Sequence, residues 1–246
     1  MNEEVPFIPT ASATELRERW ETASGEMARS MVLMSIGVVR KQFANLAVSP
    51  QPVNMLDVLK EQVAELPHVE EVLPDLDLRG FTMPEFETLY LLDLKGARLD
   101  YLSLGVGGIN YCDLTDAVLD HMQGEGVRIS GEFRRCRFVG AQLNRANLSH
   151  LHFVQAFFDK ANLQEATFKE SNLRSASLRE ADLRNADLTY TILLNTDFTD
   201  ADLRGTSLHK VEFNDETVFH GARVNNYTRI SDELRKHLET QRVRWE

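Results

Sequence analysis

The chain has 246 residues, of which 43% are hydrophobic and 26% charged, and its formal net charge is -11 at pH 7. The composition is ordinary for a soluble protein, and the negative charge argues against direct binding to a nucleic-acid backbone. The amino terminus has no apolar signal region, and the longest apolar stretch, 31–39, is far shorter than the ~20 residues of a membrane helix. We therefore expect a cytoplasmic protein that binds neither nucleic acid nor a membrane.

Residues 1–74 are predicted to form a helical amino-terminal region. Apolar residues recur there at three- and four-residue steps, as on one face of a helix: Leu16, Trp20, Ala23, Met27, Met31, Met34 and Val38. After a break at 50–54, Asn54 is a candidate N-cap for a second helix. The apolar face of that helix would carry Met55, Leu59, Val63 and Leu66.

Residues 75–224 repeat with a period of five. Every fifth residue from Phe133 to Phe213 is Leu or Phe, and the residue two positions earlier is almost always small. Residues two apart in an extended segment point to the same side, so both should face inward while the last two residues of each unit turn a corner. A fixed repeat of this kind indicates a solenoid. The spacing of the Phe residues fits coils of 15 and of 20 residues about equally, so it leaves the number of sides open.

The repeat changes frame once. An earlier series of central residues runs from Leu89 to Ile129, and the step from Ile129 to Phe133 is four rather than five. One residue is therefore missing within 120–133, where Gly124 also replaces the central apolar residue. We expect a local bulge in this segment, or a protruding loop.

Several units resemble the A(D/N)LXX signature of the pentapeptide-repeat proteins: AQLNR (141–145), ANLSH (146–150), ANLQE (161–165), ADLRN (181–185), ADLTY (186–190) and ADLRG (201–205). The resemblance implies a mainly β fold, a right-handed four-sided parallel β-helix. It implies little about function, because members of this family do unrelated work. Some members imitate duplex DNA, bind DNA gyrase or topoisomerase IV, and so give antibiotic resistance.

Residues 225–246 are predicted to form a capping helix. Ser231 is a suitable N-cap, and Leu234, Leu238 and Trp245 would form an apolar stripe. A solenoid must cover its open ends, which favours a cap. The alternative is a homodimer contact through this stripe, or through the amino-terminal helices.

No catalytic residue, cofactor or metal site is assigned, and we expect no enzyme activity. His150 and His152 are a pair without a third ligand, which makes a poor metal site. Cys112 and Cys136 occupy inward small positions, where a thiol is normally inert packing.

The outward positions carry two unusual groups of residues. Apolar side chains occupy positions that should face solvent: Val139, Val154, Phe157, Ile192 and Leu194. With four sides, Val154, Ile192 and Leu194 would share one face, where they could form an interface or be covered by the amino-terminal helices. The carboxylates Asp182, Asp187, Asp197 and Asp202 lie near them in the sequence. These carboxylates could form a binding strip, or they could serve solubility and local hydrogen bonding.

The basic residues bear on the charge of this surface. Residues 71–222 contain 24 acidic and 15 basic side chains, which gives a net charge of -9. This net charge is about half that of a DNA duplex of similar length. Arg174, Arg179 and Arg184 occupy one register, Arg204 shares a face with Arg184, and all four are expected to form ion pairs.

The sequence therefore predicts a non-catalytic scaffold that binds a protein partner through its outer faces. The partner-binding residues would be Val154, Phe157, Ile192, Leu194, Asp182, Asp187, Asp197 and Asp202. The first alternative is a DNA mimic that binds a type II topoisomerase. The second is a targeting module whose specificity lies in the amino-terminal helices.

Overall fold

The computed structural model describes residues 77–246 except 86 and 106, and, in the earlier part of the chain, residues 13–18, 21, 22, 26, 29, 30, 32, 33 and 52–54. Within this described part, the helices and strands with defined bounds are α1 (Ala13–Glu18), β1 (Val53–Asn54), β2 (Leu89–Tyr90), β3 (Leu92–Asp93), β4 (Gly108–Asp113), β5 (Arg128–Glu132), β6 (Arg223–Val224), α2 (Asp232–Thr240) and β7 (Arg244–Trp245). Glu26, Arg29, Ser30, Val32 and Leu33 are also helical.

Most of the repeat region is held together by single parallel β-bridges between successive coils. Asn162, for example, pairs with Gln142 on one side and with Asp182 on the other, each 20 residues away. A coil of 20 residues contains four units of five, so the fold is a four-sided solenoid of mainly β type, as the resemblance implied. The alternative of a 15-residue coil is excluded.

Each five-residue unit follows the inward and outward alternation expected from the sequence. In the unit 161–165, Ala161 and Leu163 are buried at 1% and 0% exposure, and Asn162 between them is half-buried. The amide of Ala166 donates to the carbonyl of Leu163, and Glu165 has a φ of 58°. A left-handed third residue with this hydrogen bond is typical of a type II turn, so the last two residues of the unit do turn the corner.

The inward side chains fill the interior of the coils. Phenylalanine side chains pack against one another in this interior. The rings of Phe138 and Phe158 are parallel, and their centroids lie 4.8 Å apart. Phe153 packs edge-on against Phe158 at 5.2 Å. Aromatic pairs in these arrangements stabilise a core beyond the area that they bury.

The outward bridging residues define four faces. Face 1 carries Glu132, His152, Asn172, Ile192 and Glu212; face 2 carries Arg137, Phe157, Ser177, Asp197 and Val218; face 3 carries Gln142, Asn162, Asp182, Asp202 and Arg223; face 4 carries Asn147, Thr167, Asp187, Ser207 and Arg229. The two turn residues that end each five-residue unit are assigned to the same face as the bridging residue of that unit.

The missing residue of the repeat lies between β4 and β5. Ile109 pairs with Ile129 at a separation of 20, whereas Cys112 pairs with Gly131 at a separation of 19. The predicted bulge is therefore confirmed. It lies in β4, where Asn110 and Tyr111 together oppose Ser130 of β5, rather than at Gly124, which is buried in a regular unit. Gly131 has a φ of 131°, and an added Cβ would lie 2.0 Å from the carbonyl oxygen of Cys112. Only glycine fits this position.

The carboxyl-terminal segment contains the predicted helix and a further strand. Ser231 Oγ accepts a hydrogen bond from the Leu234 amide at 3.1 Å, which caps α2, and Leu234 and Leu238 are buried at 0% exposure. Trp245 was wrongly placed on the same stripe. It lies beyond the helix in β7, which pairs with β6, and its side chain is 43% exposed. The helix ends at Thr240 because the chain returns to add this last strand to the solenoid.

The described amino-terminal residues pack against the first coils. Leu16 in α1 is buried, and its backbone approaches Gly80 so closely that an added Cβ would lie 2.6 Å from the Leu16 carbonyl. Asn54 lies in β1 and pairs with Asp93 in β3. The other residues of the predicted first helical face, and the second helix from Met55 to Leu66, lie outside the described residues.

Candidate interaction surface

The carboxylates at the bridging positions close the turns that follow them. The Oδ1 atom of each carboxylate accepts a hydrogen bond from the backbone amide two residues later, at 2.8–3.2 Å. The residues are Asp182, Asp187, Asp197 and Asp202. Asn162 and Asn172 make the same contact in other units. The preference for Asp or Asn at this position is thus explained by a local hydrogen bond of the Asx-turn type.

Most of the predicted arginine ion pairs are present on faces 2 and 3. Arg184 contacts Asp182 at 2.7 Å, Arg204 contacts Asp202 at 2.5 Å, and Arg179 contacts Asp197 at 2.9 Å. Arg174 was wrongly included in this group, because no side chain in the described part of the chain forms an ion pair with it. The residue two positions before Arg174 is Asn172, whereas Arg184 and Arg204 each follow an Asp at that distance.

The carboxyl-terminal end of face 3 contains a network of alternating charges. Arg223 contacts both Asp202 at 3.4 Å and the terminal residue Glu246 at 2.8 Å. Partial burial opposes ionisation of Asp202, but hydrogen bonds from Arg204 outweigh it and lower the pKa of this carboxyl. The hydrogen bond from Arg223 likewise lowers the pKa of Glu246. Both carboxylates are therefore held in their charged form by neighbouring arginines.

The predicted partner-binding residues are distributed over all four faces. Val154, Ile192 and Leu194 lie on face 1, Phe157 and Asp197 on face 2, Asp182 and Asp202 on face 3, and Asp187 on face 4. The three apolar residues do share one face, as expected for four sides, and Val139 lies on face 2 with Phe157. The carboxylates, however, do not surround the apolar group.

Phe157 is the most exposed apolar side chain of the predicted set, at 39% exposure. The guanidinium of Arg137, in the coil below, lies 5.7 Å from its ring centroid. This distance is within the range of a cation–π contact. The ring is thus partly covered by a residue of the same face.

The residues considered for chemistry are separated or buried. His150 is a turn residue of face 4 and lies 3.4 Å from Glu170, while His152 lies on face 1. Burial raises the pKa of the Cys112 thiol to about 12 and also raises that of Cys136. Among the described residues, no three His, Cys, Asp or Glu side chains are placed to hold a metal ion together.

Face 1 has a property that was not recognised in the sequence. On its three central rungs, residues 152–155, 172–175 and 192–195, it contains no Asp or Glu. The signal is visible in the sequence only when the residues are aligned with a period of 20. The four-sided coil is therefore needed to find it.

The helices in the described ranges are all too short or too polar to span a lipid bilayer. This finding concerns only those ranges.

A family profile for a pentapeptide repeat region matches residues 129–219. No curated protein sequence matches the chain with comparable significance. Among solved structures, the chain is similar to a pentapeptide repeat protein from the thylakoid lumen of Arabidopsis thaliana, with 27% identity, a TM-score of 0.43, and coverage of 48% of this chain and 77% of that one.

Two further solved structures are similar over longer parts of the chain. HetL of Nostoc, a pentapeptide repeat protein involved in the regulation of heterocyst differentiation, is 18% identical, with a TM-score of 0.24 and coverage of 73% of this chain and 91% of that one. QnrB1, a plasmid-mediated fluoroquinolone resistance protein, is 14% identical, with a TM-score of 0.32 and coverage of 67% and 86%. Residues 129–219 are therefore a pentapeptide repeat region, as the A(D/N)LXX units of the sequence indicated.

Proposed function

We propose that this protein is a non-catalytic scaffold that binds a protein partner through the outer faces of its solenoid. One observation carries the proposal: the small and the large residue of each unit fill the interior, as with Ala181 at 1% and Leu183 at 0% exposure. Only the bridging residue and the two turn residues of each unit are free to contact another molecule. Flat, regular faces of this kind are the usual binding surfaces of solenoid proteins.

Faces 1 and 2 between about residues 150 and 202 are the favoured location. Val154, Ile192 and Leu194 are half-buried apolar side chains at positions where polar residues are expected, and Phe157 adds an exposed ring on the adjacent face. Aromatic and aliphatic residues at the centre of a contact carry most of the binding energy in protein interfaces. These residues therefore support a protein rather than a small molecule as the partner.

The test is an affinity capture from the native host with the full chain and two double variants. Phe157→Ser with Leu194→Ser removes apolar contacts, whereas Asp182→Asn with Asp202→Asn removes charge and keeps the oxygen that accepts the turn amide. Circular dichroism of each variant confirms that the fold is intact. We expect the apolar variant alone to lose the partner that the unmodified chain retains.

Other outcomes distinguish the alternative functions. Loss of binding in the carboxylate variant alone, with strong dependence on salt, would favour a DNA mimic that binds DNA gyrase or topoisomerase IV. Retention of the partner by both variants would move attention to the amino-terminal region. Failure of the unmodified chain to retain any protein specifically would overturn the scaffold proposal.

A further inference from the structure

The negative charge of the repeat region is unevenly distributed around the solenoid. Nine carboxylates occur between residues 152 and 210, and all of them lie on faces 2, 3 and 4: Asp159, Glu165, Glu170, Glu180, Asp182, Asp187, Asp197, Asp200 and Asp202. The central part of face 1 has none, and we call residues 152–155, 172–175 and 192–195 the acid-free face. Glu132 and Glu212 bound it at its two ends.

Arg174 stands at the centre of the acid-free face. Backbone hydrogen bonds of 2.9 Å, from Gln155 to the carbonyl of Arg174 and from Ser175 to that of Leu194, fix the stacking of three turns. Val154, Arg174 and Leu194 therefore occupy equivalent positions in successive coils. Because coils stack at about 4.8 Å, the guanidinium has an aliphatic side chain on each side along the rod.

The charge of Arg174 is not neutralised within the described part of the chain. Arg179, Arg184 and Arg204 each have a carboxylate within 3 Å, whereas Arg174 is exposed and has no such partner. Its neighbour Asn172 uses Oδ1 to accept the Arg174 amide and so leaves the guanidinium free. An exposed cation flanked by apolar side chains is suited to pair with a carboxylate that brings its own apolar neighbours.

We propose that the acid-free face binds an extended acidic segment of a partner protein. A carboxylate of that segment pairs with Arg174, and aliphatic side chains on either side contact Val154 and the pair Ile192 and Leu194. This inference rests on the proposed scaffold function and names the chemistry of the partner. From Val154 to Leu194 is two coil steps, about 10 Å, so the contact accommodates roughly three to five extended residues.

A peptide fits this surface better than a nucleic acid does. A DNA duplex carries one charge per about 1.7 Å along its axis, and its width would bring phosphates near the carboxylates of the adjacent faces. Asp159 and Asp197 lie on face 2, and Glu170 and Asp187 lie on face 4. Carboxylates so close to the acid-free face disfavour the binding of a continuous polyanion, because they repel its charges. A single carboxylate at Arg174 stays clear of them.

The experiment uses the full chain as the target for a displayed library of random 12-residue peptides. We expect enrichment of peptides that combine Asp or Glu with Leu, Ile or Val. The best enriched peptide is then synthesised and its affinity measured for the unmodified chain, Arg174→Gln, Arg174→Lys and Lys169→Gln. Lys169 is a matched control because it occupies the same turn position on face 4, is exposed and has no described ion pair.

Arg174→Gln should weaken the peptide about tenfold or more, since a hydrogen-bonded charge pair is lost, while Arg174→Lys should weaken it less and Lys169→Gln should leave it unchanged. Enrichment of basic or uncharged peptides, equal binding by Arg174→Gln, or tighter binding of a 20-mer DNA oligonucleotide through Arg174 would each overturn the inference. A host partner that remains sensitive to Phe157→Ser with Leu194→Ser but insensitive to Arg174→Gln would overturn it and leave the scaffold function standing.

Discussion

The hydroxyl of Thr206 donates a hydrogen bond of 2.7 Å to the carbonyl of Leu183, in the preceding coil. Thr191, Thr196 and Ser171 make equivalent contacts to carbonyls 23 residues earlier. All of these residues occupy the small inward position and are fully buried. A hydroxyl is therefore accepted in this apolar position because the backbone supplies its partner.

The first prediction concerns this contact. Thr206→Val replaces the hydroxyl with a methyl group of similar size and should lower the free energy of unfolding by about 1 kcal/mol. Thr206→Ser keeps the donor and should lose less from that bond. Urea unfolding of the three proteins measures the difference. A Val variant as stable as the unmodified chain would show that the bond contributes nothing net.

The second prediction compares two glycines with positive φ. Gly131→Ala brings a Cβ to 2.0 Å from the Cys112 carbonyl oxygen, whereas Gly126→Ala, at a φ of 65°, meets nothing within 4 Å. We expect about 1–2 kcal/mol of destabilisation for Gly126→Ala from the left-handed backbone alone, and clearly more for Gly131→Ala. Thermal unfolding of both variants provides the comparison. Equal losses would contradict the bulge geometry between β4 and β5.

The third prediction concerns acid stability. Because the pKa of Asp202 is lowered in the folded protein, its ionisation stabilises the fold above the unfolded carboxyl pKa of about 3.9. That stability is lost as the pH falls below this value and through the folded pKa. Asp202→Asn should therefore reduce the dependence of the urea midpoint on pH between about 5 and 3. Parallel pH profiles of the unmodified chain and Asp202→Asn would contradict this prediction.

The fourth prediction concerns the two cysteines. Both thiols are buried, and burial raises their pKa, so neither should form a reactive thiolate at pH 8. Native protein should react with iodoacetamide far more slowly than protein unfolded in urea, as followed by intact mass. Rapid labelling of the folded chain would indicate that these coils open locally.

The five-residue pattern was sufficient to predict the solenoid interior. Each Leu or Phe position from Phe133 to Leu208 is buried, because the alternation of an extended unit leaves no other place for it. The Phe spacing did not determine the number of sides of the coil, and only the family resemblance predicted four. It depends on turn geometry, which the residue types at the corners specify only weakly, since many different residues adopt positive φ there.

Departures from the regular coil were harder to predict. Asp197 pairs with Val218 and Asp202 with Arg223, each 21 residues away, because an extra residue enters near Asn214 and Glu216. Trp245 follows a helix in the sequence, and its place in a strand depends on backbone pairing with β6, not on side-chain periodicity. The unpaired state of Arg174 did have a local signal, the Asn at position 172 where Arg184 and Arg204 have Asp.

The constant separation of about 20 residues between bridging partners has a consequence for how the molecule folds. Every such contact in the repeat region joins adjacent coils, so closing one coil costs about the same loop entropy as closing the next. Folding can then begin wherever one coil pair is most stable, and we expect this to be the pair that carries the packed rings of Phe138, Phe153 and Phe158. From there, we expect order to spread coil by coil toward both ends, with the terminal coils the first to fray in denaturant.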